Sequence, residues 1–207
     1  IAAASGSARI VRCMPNTPAL VGRGMTGLFD ASGAPADRQL AETVIRTTGD
    51  VLWVEREELL DAVTALSGSG PAYVFYFLEA MQQAGAELGL TASQARRLAV
   101  GTFAGGTQLA ADSPEPLATL RERVTSKGGT TYAALTAMEQ ADVKAAFVQA
   151  MHAACARAKE LGDEFGRSLA RPARAPHERA PTVTPWRSGV SMARFLPSDH
   201  GRRVIQV

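Results

Sequence analysis

The chain has little of what most often carries covalent or metal chemistry. Its 207 residues include only two cysteines, Cys13 and Cys155, and three histidines. Two cysteines so far apart give neither a metal-ligand spacing nor a disulfide framework, so they read as reduced thiols and no metal is expected. Aromatic residues make up 6%. No long apolar run exists either. The most apolar stretch, Pro71 to Met81, is broken by Glu79 and falls short of the ~18–20 residues that cross a bilayer. No charged segment followed by an apolar one opens the chain, so nothing points to secretion, and a cytoplasmic location is expected. A hydrophobic content of 46% and a formal charge of only +2 exclude a chain that is disordered throughout.

The two signs of charge nearly balance until the end. Residues 1–167 hold 15 Lys+Arg against 18 Asp+Glu, a net of −3. Residues 168–207 hold 7 Arg and no Lys against 2 acids, a net of +5, with 5 of the 11 prolines and 2 of the 3 histidines. Those arginines are scattered, without interleaved aromatics or a helical stripe, so neither nucleic acid nor a membrane is expected as a partner. The segment reads as a disordered or adventitious basic tail.

Along residues 1–56 the pattern is strand, strand, helix, strand. Residues 9–13 form a short β-branched run ending at the turn residues Met14 to Pro18, and 25–29 and 51–54 are two further strand candidates. Between them Pro35 to Thr48 reads as a helix, with Leu40, Val44 and Ile45 on one face and Gly49 just past its end. This is a piece of an α/β sheet, too small to stand alone. From Glu57 to residue 167 the texture is helical, making the chain mostly α. Helices are expected over Glu57–Leu66, Pro71–Leu88, Ser93–Ala111, Pro116–Val124, Thr131–Gln140 and Asp142–Leu161. In the last, Val143, Phe147, Ala150, Met151, Ala154, Ala158 and Leu161 share one face, and Gly162 is its expected stop. The abundance of alanine and glycine favours close helix-on-helix packing.

A literal Gly-x-Gly-x-x-Gly spans Gly22 to Gly27. The dinucleotide fingerprint needs a strand before it and a helix opening at its last glycine; here a proline-containing loop precedes it and a strand runs through it, so it reads as a turn. Two other glycine-rich segments run into helices: Leu66-Ser-Gly-Ser-Gly-Pro71 and Thr125-Ser-Lys-Gly-Gly-Thr-Thr131. Each is either a set of ordinary cap residues or an anion site made of backbone N–H groups, hydroxyls and the positive end of a helix dipole. Two such segments in one helical region, the second with Lys127, favour a small carboxylate ligand. His152 lies mid-helix, and Glu55, Glu57, Glu58 and Asp61 cluster where sheet meets helices, by default as first-turn acids. With no nucleophile or metal set, such a site suits chemistry performed mostly by a cofactor.

At these residues the chain resembles a known family. Val11-Arg-Cys-Met-Pro-Asn-Thr-Pro18, Asp61-Ala-Val-Thr-Ala-Leu-Ser-Gly-Ser-Gly-Pro-Ala-Tyr73, Val124-Thr-Ser-Lys-Gly-Gly-Thr-Thr131 and Arg157-Ala-Lys-Glu-Leu161 are similar to signature segments of the Δ1-pyrroline-5-carboxylate reductases. The resemblance covers roughly residues 9–167. It implies an all-helical substrate-binding and dimerisation domain over 57–167, preceded over 1–56 by the remnant of a Rossmann NAD(P)-binding domain whose first βαβ unit lies upstream of Ile1. It implies hydride transfer from NADPH or NADH to the C=N carbon of 1-pyrroline-5-carboxylate, giving L-proline, in a homodimer or higher homo-oligomer. Under it Thr131 is the catalytic candidate, hydrogen-bonding the ring nitrogen. Ser126 and Thr130 would hold the carboxylate, and Glu57 and Thr64 line the same pocket. Asn16 and Arg123 are the cofactor-side candidates. Lys127 departs from the family, many of whose members have proline there. Two other readings stay open: a catalytically silent helical dimerisation module, and a two-domain dehydrogenase of the β-hydroxyacid type. Enzymes of the latter type place a catalytic lysine in this region, but neither Lys144 nor Lys159 has a glycine-rich context.

Overall fold

Three short strands, Val11–Met14 (β1), Gly24–Asp30 (β2) and Gly49–Trp53 (β3), form one sheet in the order β1-β2-β3. The computed structural model describes Ser7 and residues 9–170 of the chain, so the expected basic tail from 171 onward lies outside the described residues. β1 runs antiparallel to β2, and β2 parallel to β3. A parallel pair needs a crossover, supplied by helix α1 (Pro35–Ile45) and a 3-10 turn over Arg46–Thr48. Gly49 makes the return possible. Its φ is +149°, and a Cβ there would lie 2.1 Å from the carbonyl oxygen of Gly24.

Side chains alternate across a sheet and registered neighbours share a face, so two sets follow. Leu28 aligns with Cys13 and Trp53, and Gly27 with Met14 and Leu52. The first face carries α1: the Trp53 indole N–H donates to Glu42 at 2.9 Å, and the Arg38 guanidinium lies 4.4 Å from the centre of the Trp53 ring. The second face meets the helical half. Helix α2 (Leu59–Val63) comes so close to β2 that a Cβ on Gly27 would sit 2.7 Å from Cγ1 of Val63.

The remaining helices are α3 (Gly70–Glu87), α4 (Ala92–Asp112), α5 (Leu117–Arg123), α6 (Thr130–Gln140) and α7 (Val143–Ala170). Thr91 opens α4 with a capping box: its Oγ1 accepts from the Gln94 amide at 3.3 Å, and the Gln94 side chain accepts from the Thr91 amide at 2.9 Å. α3 and α4 approach closely at Gly85 and Ala95. Phe147 of α7 packs edge-on against Tyr73 and Phe77 of α3, with ring centres 5.7 and 5.4 Å apart.

Two expectations are corrected. The helix expected over Glu57–Leu66 does not stop before a separate one at Pro71. It passes from α2 through a π-helical turn, Thr64–Gly68, and through Ser69, itself in the right-handed helical conformation, into α3. The final helix does not end at Gly162 but runs on through Gly162 and Gly166 to Ala170, so the compositional boundary at 168 falls inside it. A helix-interior glycine costs only about 1 kcal/mol, and Arg157 braces this stretch by pairing with Glu160 and Glu164 at 2.8 and 3.1 Å.

Packing within the chain is incomplete. Among the described residues the buried apolar set is Leu28, Leu60, Ala65, Ala95 and Ala99, while Phe75, Tyr76, Leu98 and Leu109 of α3 and α4 are 58%, 70%, 58% and 71% exposed. Large side chains left out on two adjacent helices mark a surface made to be covered.

Candidate active site

Between the end of the sheet and helices α3, α4 and α7 lies an open groove of about 780 Å³. Its walls are mostly apolar, with Met25, Val74, Phe77, Phe103, Phe147 and Met151 among them, and Asn16 and Ser67 at one end. Of the candidate catalytic, substrate-side and cofactor-side residues only Asn16 lines it, together with Leu66, Ser67, Gly70 and Pro71 of the first glycine-rich segment.

Asn16 follows β1, where Pro15 and Pro18 hold the chain in a loop that turns 3-10 over Thr17–Val21. Its side-chain oxygen accepts from the Met25 amide at 3.0 Å, and its amide nitrogen donates to the Ser67 hydroxyl and carbonyl at 3.1 and 3.3 Å. Both polar atoms of the side chain thus have partners within the protein. Glu57, just before α2, forms an ion pair with Arg12 of β1. The Thr64 hydroxyl donates back to the Leu60 carbonyl at 2.7 Å. Arg123 is paired with Glu115 at 2.6 Å.

The two glycine-rich segments differ in kind. Leu66 to Pro71 leads out of the π turn into the start of α3, with Ser69 just before its first residue, Gly70. The Ser69 amide bonds to the Thr64 carbonyl at 2.8 Å and the Ala72 amide to the Ser69 carbonyl at 3.0 Å, so these donors are closed into helical turns instead of facing a ligand. The Thr125–Thr131 segment opens a helix. Gly128 is left-handed at φ +74°, Gly129 is the extended cap, and no side chain caps α6. The first-turn amides of an uncapped helix are free donors at the positive end of its dipole. Gly129 lies close against Ser126: a Cβ there would lie 2.5 Å from the Ser126 hydroxyl and 3.2 Å from its carbonyl oxygen. Ser126, Thr130, half-buried Thr131 and exposed Lys127 therefore surround one uncapped terminus. That arrangement can bind a carboxylate and present a hydroxyl beside it.

The Gly22–Gly27 segment is a turn and a strand. Gly22 ends the 3-10 turn in the left-handed conformation and β2 begins at Gly24. Among the described residues no group of His, Cys, Asp or Glu could hold a metal ion, and no helix is long and apolar enough to cross a membrane. Sequence reasoning missed the groove's aromatic wall and the engagement of Ser67. The signal for the wall was Tyr73 and Phe77 four apart on one helix, with Phe147 and Met151 four apart on another.

Residues 57–161 match the family described as "Pyrroline-5-carboxylate reductase dimerisation". A pyrroline-5-carboxylate reductase of Pseudomonas aeruginosa is 44% identical over 158 residues, covering 76% of this chain and 58% of its own length. The structure of a pyrroline-5-carboxylate reductase from Coxiella burnetii superposes with a TM-score of 0.71 at 44% identity, covering 74% of this chain and 57% of that one. That of Plasmodium falciparum, with NADP bound, gives 0.70 at 32% identity, covering 74% and 62%. The chain thus spans less than three-fifths of the bacterial relatives named here.

Proposed function

The chain belongs to the pyrroline-5-carboxylate reductase family, and from that premise we propose that it supplies the substrate half of an NAD(P)H-dependent reductase converting 1-pyrroline-5-carboxylate to L-proline. The observation that carries the proposal is the uncapped start of α6 within the matched region. The substrate is a small cyclic imine with one carboxylate. Amides of the first turn of α6, with the Ser126 and Thr130 hydroxyls, hold that carboxylate by charge-assisted hydrogen bonds. Thr131 then hydrogen-bonds the ring nitrogen, which ends the reaction as an amine. Glu57 and Thr64 complete the pocket, and Asn16 and Arg123 stand on the cofactor side. NADPH or NADH supplies the hydride when bound. The described residues do not form its diphosphate cradle, because the Gly-x-Gly-x-x-Gly among them opens a strand instead of a helix.

The exposed faces of α3 and α4, in a chain of a dimerisation family, support a homodimer or higher homo-oligomer, and we place the protein in the cytoplasm. Ser126, Thr130 and Thr131 do not line the groove that holds Asn16; we assign the α6 terminus of one protomer to the groove of its partner. Mixing Thr131→Ala and Asn16→Ala protomers then restores part of the activity that each lacks alone. The match of residues 57–161 to a dimerisation family supports a second reading, a dimerisation module without turnover of its own. Titration of the 207-residue chain with NADPH, then addition of pyrroline-5-carboxylate, separates the two. Saturable binding followed by oxidation supports the reductase, and no binding supports the silent module.

A further inference from the structure

Alternate residues leaving β1 all touch the first segment of the helical half. Arg12 and Met14 share the face of Gly27, through the registers Arg12–Phe29 and Met14–Gly27. Arg12 pairs with Glu57. Met14 lies against the π-helical turn, where a Cβ on Gly68 would sit 2.6 Å from its Cε. Asn16, two residues on, closes a ring: the Met25 amide donates to Asn16 at 3.0 Å, Asn16 donates to the Ser67 hydroxyl at 3.1 Å, and that hydroxyl donates to the Met25 carbonyl at 3.2 Å. Each donor in the ring is also an acceptor or is fixed to one, an arrangement in which hydrogen bonds strengthen one another.

The π-helical turn fits this ring. One extra residue in a helical turn swings the following chain by about 100° around the axis, and here it puts Ser67 against Asn16 while leaving Leu66 outside, 73% exposed. The wider turn takes the Ser69 amide to Thr64 instead of Ala65. The Ala65 carbonyl, which an α-turn would have given that amide, instead accepts from the Tyr73 hydroxyl at 3.1 Å. A π turn with its displaced carbonyl satisfied and its side chain locked to the sheet is a built feature.

We propose that Arg12, Asn16 and Ser67 are positioning residues: they set the π-helical register of Thr64–Gly68 against the sheet, and through it the placement of Glu57 and Thr64. Their relevance to substrate rests on the reading that Glu57 and Thr64 face it. The register itself does not.

Backbone hydrogen exchange on the full 207-residue chain, without cofactor or substrate, tests the proposal whether or not the chain turns over. In Asn16→Ala and Ser67→Ala, protection of the Ser69 amide, the π-turn bond, falls by roughly tenfold, the equivalent of one hydrogen bond. The Met25 amide falls with it, while Ala99 inside α4 is unchanged. Ser67→Thr, which keeps the hydroxyl, behaves as wild type, and the double alanine variant is no worse than Asn16→Ala alone. Unchanged protection at Ser69, an equal loss at Ala99, or failure of Ser67→Thr to rescue would each overturn the proposal.

Discussion

Gly85→Ala tests whether the contact of α3 with α4 is as tight as the geometry indicates. A Cβ at residue 85 would lie 2.7 Å from Cβ of Ala95 and 3.5 Å from its Cα. Carbon atoms pack best at about 3.5–4.0 Å, so the helices must part by roughly 1 Å. Neither methyl group has a rotamer through which to escape, and Ala95 is itself only 3% exposed. Overpacking of this kind costs about 1–3 kcal/mol. Against it, replacing a helix-interior glycine by alanine contributes about 1 kcal/mol. The net is a loss of about 1 kcal/mol, or a fall of ~2–4 °C in Tm for a chain of this size. Gly162→Ala is the control, since nothing lies within 4 Å of its added methyl and only the propensity gain remains. Melts followed by circular dichroism at 222 nm, at one fixed protomer concentration because association couples to stability, should therefore move in opposite directions. If Gly85→Ala raises Tm as Gly162→Ala does, the helices are not in the close contact described.

Three further outcomes are expected. Thr131→Ala should lower kcat/KM for pyrroline-5-carboxylate in the active enzyme by about ten- to a hundredfold, the worth of a hydrogen bond to a group gaining charge, with the circular dichroism spectrum unchanged; an unaltered kcat/KM removes Thr131 from its role. Gly49→Ala places a methyl 2.1 Å from a backbone oxygen at φ +149°, so a stability loss of more than ~2 kcal/mol is expected from urea unfolding, and a wild-type midpoint would refute the close approach of β2 and β3. The Trp53 indole N–H, and then the Arg46 guanidinium, hold the Glu42 carboxyl below its usual range. A depressed carboxyl stabilises fully above its unfolded pKa and ceases to as pH falls through the folded one. Trp53 emission, read in a Trp186→Phe background, should therefore change only below about pH 4, and Glu42→Gln should abolish the change.

The parts of the fold legible in the sequence are those written in periodicity and punctuation. Pro35 and Gly49 bracket the crossover helix and its return, and the three short strand candidates lie within a residue or two of the strands. The parts that were not legible depend on partners distant in sequence. Gly162 looks like a stop because a glycine after a helical pattern usually is one; it is not, and the helix runs on to Ala170 with the Arg157–Glu164 pair spanning it. Ser67-Gly-Ser-Gly-Pro71 looks like a cap because its composition suits one. The Ser69 amide bonded to Thr64 instead makes Thr64–Gly68 a π turn, and Ser67 within it is held by Asn16, 51 residues away. The same division runs through the candidate site. The uncapped terminus at Thr130 is local, so its glycines and hydroxyls announced it, whereas the role of Asn16 is a matter of what it meets. Its amide nitrogen is already bonded to Ser67 and its oxygen to the Met25 amide. Under the proposed function, Asn16 therefore acts chiefly through the π turn it holds.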